Sequence, residues 1–100
     1  MLLFNITIII EESVNQEWLD WMNDSFIPQA LQSDMITSGR LLKVLDSPNE
    51  GITYCLQFVI DNIGQYEQLQ EKNLPDLMRS LNAKFENRFV SFSTLMEFVD

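Results

Sequence analysis

The sequence predicts one α+β domain, a four-stranded antiparallel sheet with two helices on one face. Three observations carry that expectation. Strand-like and helix-like stretches follow one another in the order β-α-β-β-α-β. A length of 100 residues suits a single core. No linker, repeat or low-complexity run divides the chain.

Residues 2–10 are rich in β-branched and aromatic types and predict the first strand. Phe4, Ile6, Ile8 and Ile10 share one side; Leu3, Asn5, Thr7 and Ile9 share the other. Ser13 is the expected N-cap of a helix from Val14 to about Ile27, with Gln16 at the capping-box position. Val14, Trp18, Met22 and Phe26 recur every four residues, and Leu19 and Ala30 widen that stripe. Pro28 lacks a backbone donor, so the helix is expected to kink or stop there.

A second strand is expected over 35–46, with Gly39 at a bulge or bend. Asp46-Ser47-Pro48-Asn49-Glu50-Gly51 is a dense turn signal, and residues 52–60 close an antiparallel hairpin. Asp61-Asn62 can cap a second helix with Ile63, Tyr66, Leu74, Leu77, Met78, Leu81 and Phe85 on its stripe. Pro75 either kinks that helix or starts a new segment with Asn73 as cap. Residues 88–99 form the last strand, with Val90, Phe92 and Met96 expected to face the helices. Right-handed crossovers leave few topologies for this order, and the ferredoxin-like split βαβ sandwich is the commonest.

Two helices on one side leave the second sheet face uncovered. It is expected to carry Leu3, Asn5, Thr7, Ile9, Thr53, Cys55, Gln57, Val59, Phe89, Ser91, Ser93 and Leu95. A solvated face would hold more charge, and an ordinary core would hold fewer short polar groups. The mixture suits two copies meeting sheet to sheet about a two-fold axis, a dimeric α/β barrel.

Composition excludes several functions. The net charge is −9, and only six Lys and Arg are scattered along the chain. A nucleic-acid binder needs a basic stripe to neutralise phosphates, so nucleic acid and anionic membrane surfaces are not expected partners. The chain has no His and a single Cys. That removes the commonest general base, Cys-His and Ser-His-Asp arrangements, His-held metals and an internal disulfide. The apolar start lacks a basic flank and runs into Glu11-Glu12, unlike a secretory leader, and is too short to span a bilayer. A cytoplasmic protein with no cofactor and no metal is expected.

Several stretches together carry a resemblance: Phe4-Asn5-Ile6-Thr7, Glu17-Trp18-Leu19-Asp20-Trp21-Met22, Ile27-Pro28, Ser38-Gly39-Arg40-Leu41-Leu42-Lys43-Val44-Leu45, Thr53-Tyr54 and Phe89-Val90-Ser91-Phe92. The chain resembles a bacterial family of about this length catalogued as a domain of unknown function. That family is similar in fold to the dimeric α/β-barrel (ferredoxin-like) superfamily. The resemblance implies the fold and brings no known activity. The family often places His directly before Ile-Pro, where this chain has Phe26. A role resting on that His is missing here, which counts against an enzyme like the superfamily's monooxygenases or haem-degrading members.

Few residues qualify as a site. Arg40 lies in a strand, where its fork could hold a carboxylate or phosphate; a salt bridge to an acid is the structural alternative. Gln57, Asn5, Ser91 and Ser93 could orient a ligand by hydrogen bonds, and Trp21, at the edge of its stripe, could rim the pocket. Cys55 has no neighbour in sequence that would lower its pKa and is read as packing. Glu17, Asp20 and Asp24 form a solvated row without the loop a metal needs. No residue is assigned a catalytic role. The reading that follows is a homodimer holding a small anionic or amphipathic molecule on Arg40, Gln57 and Asn5, with Trp21 at the rim. The alternatives are a cofactor-free enzyme of monooxygenase or isomerase type, and a structural protein with a filled lumen.

Overall fold

The computed structural model describes residues 1–48 and 50–100. Four strands, β1 (Leu2–Ile10), β2 (Ser38–Lys43), β3 (Ile52–Ile60) and β4 (Phe89–Glu97), form one sheet in the order β2-β3-β1-β4. Every neighbouring pair is antiparallel. With two helices this is the α+β ferredoxin-like arrangement expected from the element order. The strands at 2–10 and 52–60 have the expected bounds, whereas β2 is shorter than 35–46. Its flanks keep single bonds to β3, Thr37 N–H to Val59 O and Val44 N–H to Thr53 O. Of the expected 46–51 turn, Asn49 lies outside the described residues.

Gly39 does not mark a bulge. It sits in an unbroken ladder opposite Phe58. A Cβ there would lie 2.9 Å from the Phe58 ring and 3.3 Å from Leu31 Cδ2. Glycine is needed because the aromatic ring packs over its backbone.

Both helices carry a π turn just before an X-Pro pair. The first runs Asn15–Trp21, then the π turn Met22–Phe26, then Ile27–Leu31. Of the two outcomes expected at Pro28, a stop does not occur, since helical residues continue to Leu31. The Ile27 N–H reaches back five residues to Met22 O, and Pro28 falls in the opening turn of the next segment, where a donor is least missed. Ser13 is likewise not the cap: it lies in a 3-10 turn, Glu12–Val14, and no side chain caps the helix behind it.

The π turn also keeps the apolar stripe aimed at the sheet. Four residues of α-helix overshoot one turn, so a strict four-residue stripe drifts around the axis. A wider turn removes that drift, and Trp18, Met22, Phe26 and Ala30 are all buried. The second helix opens with Asn62 Oδ1 accepting from Gln65 N–H at 3.0 Å, as expected, and runs Ile63–Gln68, Leu69–Asn73 (π) and Leu74–Lys84. Its π turn bridges the five-residue step from Leu69 to Leu74, and both side chains are buried. Asn73 makes no side-chain cap, so Pro75 sits in a helix that continues through it.

The facing of β4 is the main correction. The register pairs Ile9 with Val90, Thr7 with Phe92 and Leu3 with Met96, so these side chains point away from the helices. Phe89, Ser91, Ser93 and Leu95 take the helix side instead, and of these only Phe89 packs on the core. β4 is an edge strand lying beyond the helices' cover. Helix-side positions there need no bulk, which is why small serines occupy them.

Candidate functional site

The uncovered sheet face can be read row by row, because residues paired across strands point to the same side. One row is Ser38–Val59–Leu3–Met96 and the next is Arg40–Gln57–Asn5–Thr94. Leu42–Cys55–Thr7–Phe92 follows, then Thr53–Ile9–Val90. Strand alternation and the β1/β3 register thus bring Arg40, Gln57 and Asn5 side by side. Their row is polar from edge to edge, and each adjoining row contains apolar side chains.

Within that row Asn5 is only 7% exposed although no helix covers it. Its Nδ2 donates to Thr7 Oγ1 at 2.9 Å, and its buried Oδ1 has no donor among the described residues. Thr7 Oγ1 also lies 3.9 Å from Cys55 Sγ. Among the described residues, neither the Arg40 guanidinium nor the Gln57 amide has a hydrogen bond or ion pair. Val90 and Phe92 on the same face are 61% and 59% exposed.

Trp21 does not join this group. Its ring packs edge-on to Phe26 and Phe85, at 5.8 and 5.7 Å between centroids, within the helix layer on the far side of the sheet. There it borders a groove of about 430 Å³ between the two helices, with Ser25, Gln29, Ser80 and Lys84. Another cleft, of about 410 Å³, lies at the Ile9–Val90 end of the sheet and is edged by Glu11, Glu12, Glu50 and Arg88. Arg88 is held there by Glu11 at 2.9 Å. Among the described residues no group of His, Cys, Asp and Glu is placed to hold a metal ion, and no helix is long and apolar enough to cross a membrane.

A polar cluster also lies under the first helix. The Tyr54 hydroxyl donates to Asn15 Oδ1 at 2.7 Å, and the Tyr54 ring lies 4.8 Å from that of Trp18. Burial pushes the Tyr54 pKa above its ordinary value, opposed by the Asn15 hydrogen bond. Trp18 is fully covered, and among the described residues its Nε1–H has no acceptor.

Residues 1–99 match the family described as "Domain of unknown function (DUF4286)". The chain belongs to that family. Among curated proteins there is no match. Solved structures similar to this DUF4286 protein include a candidate antibiotic biosynthesis monooxygenase from Nitrosomonas europaea. That one has a TM-score of 0.73 at 9% identity, with 100% of both chains covered. HapK from Hahella chejuensis gives 0.73 at 10% identity, covering 99% of this chain and 93% of its own. SnoaB, a cofactor-independent oxygenase from Streptomyces nogalater, gives 0.71 at 12% identity, covering 99% and 94%. At such identities the likeness establishes the shared fold and no chemistry.

Sequence reasoning missed two features of this DUF4286 domain. Thr94 completes the polar row, and only the β4 register reveals it, since an alternating strand reads equally well with either face inward. Asn15 and Tyr54 are 39 positions apart, and no local motif joins them.

Proposed function

We propose that this DUF4286 protein is a cytoplasmic homodimer whose sheets meet through their uncovered faces, enclosing a small-molecule site on the row Arg40–Gln57–Asn5–Thr94. The observation that supports it most is the make-up of that face. It combines a continuous polar row with large side chains, Val90, Phe92 and Met96, that the protomer leaves exposed. Large apolar side chains left exposed together on one face of a small domain mark a surface that something covers. A 100-residue chain also gains from burying a further face, because its own core has little surplus.

Light scattering on the size-exclusion peak at micromolar concentration is expected to give twice the protomer mass. A thermal-shift screen of small metabolites is expected to yield ligands whose effect disappears in Gln57→Leu and Asn5→Leu. A lone protomer would remove the enclosed site. Ligands that bind a dimer yet ignore both substitutions would leave the dimer and move the site elsewhere.

A further inference from the structure

The uncovered face has an unusual charge inventory. The chain contains 15 Asp and Glu, yet none falls in the rows that make up this face. It carries one cation, Arg40. Lys43 is paired with Tyr54 and so points to the helix side. The other arginines near acids are satisfied, Arg88 by Glu11 and Arg79 by Asp76, whereas Arg40 has no partner among the described residues.

This imbalance matters because a two-fold interface is built from the same patch twice. A second copy brings its own Arg40 and no carboxylate in its paired rows. Closing the two faces together therefore removes two guanidinium groups from water without a counter-charge from those rows. An enclosed and uncompensated charge is strongly unfavourable. The guanidinium fork also presents parallel N–H donors suited to planar or tetrahedral oxyanions. Beside it, Gln57 has an uncommitted amide, so the row offers further donors to the same anion.

Resting on the homodimer reading above, we propose that the enclosed row is an oxyanion site, taking a small molecule with a carboxylate or phosphate group anchored by Arg40. The bound anion supplies the charge that neither copy carries, so ligand binding and dimerisation support each other. The row's apolar neighbours, Leu3 and Phe92, favour a carboxylate with an apolar body over a bare ion.

The test measures the dimer dissociation constant of the full chain by dilution, in chloride, benzoate and inorganic phosphate at matched ionic strength and pH 7. Wild type is expected to dimerise about tenfold more tightly in the best oxyanion than in chloride, the linkage expected of a ligand that binds only the dimer. Benzoate acting more strongly than phosphate assigns the carboxylate class, and the reverse order assigns the phosphate class. Arg40→Leu is expected to dimerise at least as tightly as wild type in chloride and to ignore both anions; Arg40→Gln should also lose the response. An equal response in wild type and Arg40→Leu is a general salt effect and overturns the proposal. So does a wild-type dimer indifferent to both anions: Arg40 then either pairs with a carboxylate at the partner's edge, if Arg40→Leu weakens the dimer, or faces solvent, if it does not. A chain that stays monomeric in all three salts instead refutes the homodimer reading itself.

Discussion

The two faces of the same strands are finished to different degrees. On the helix side Phe4, Ile6, Ile8, Leu56 and Phe58 are at most 3% exposed and pack against buried residues of both helices. On the other side the same β1 and β3 present Asn5, Thr7, Cys55 and Gln57, and β4 adds the exposed Val90 and Phe92. One face is a complete core. The other has the side-chain size of an interior without its cover, and it lacks the acids found over the rest of the protein. Burial against its own helices stabilises the protomer; the paired rows of the uncovered face carry Arg40 and no carboxylate.

Substitutions on each face should therefore fail in different ways. The largest effect is expected from Phe58→Ala on the helix side, which deletes a fully buried ring and costs about 3–5 kcal/mol. That is a large part of the roughly 5–15 kcal/mol that holds a typical domain together, and urea unfolding measures it directly. A loss below about 1 kcal/mol would mean that the helices do not seal this face.

Phe92→Asp on the uncovered face should leave protomer unfolding within about 1 kcal/mol of wild type. The dimer should weaken by at least about 2 kcal/mol, the scale of an interfacial aromatic anchor, as read by sedimentation. Equal damage to protomer and dimer would erase the contrast between the two faces.

Tyr54→Phe removes one buried hydrogen bond on the helix side, at a cost of about 1 kcal/mol. Its pH signature sharpens the test. Because the folded protein raises the tyrosine pKa, the protonated form is preferred in the native state. That contribution is intact below the ordinary value of about 10 and is lost as pH climbs through the raised value. The phenylalanine variant should lose this alkaline component of the stability profile, seen in thermal melts across the alkaline range. The smallest effect belongs to the rim: Arg88→Ala breaks a half-exposed pair with Glu11 and should cost no more than about 1 kcal/mol.

Much of the scaffold was legible because local signals agreed with one another. The bounds of β1 and β3, the Asn62 cap and the buried Trp18 stripe all follow from spacing and residue type within a few positions. The strand placement of Arg40, Gln57 and Asn5 was legible for the same reason, although their alignment in one row required the β2–β3 and β1–β3 registers. Pro28 left a kink and a stop equally open in the sequence, because a proline's missing donor can be absorbed by a π turn that lets the helix continue. The direction of Trp21 was not legible, because a residue at the edge of a helical stripe can turn toward the neighbouring helix, where Phe85 receives it.

By itself the sequence determined the element order, the alternation of each strand and a charge balance that disfavours nucleic-acid partners, since these depend on neighbours a few positions apart. Only the tertiary structure decided which side of β4 faces the helices, and therefore that Phe92 and Thr94 belong to the uncovered face. In an alternating strand either side can be turned inward, and the choice falls to hydrogen-bond register with β1, more than 80 residues earlier in the chain. Cross-strand pairing alone also showed that the rows around Arg40 contain no carboxylate.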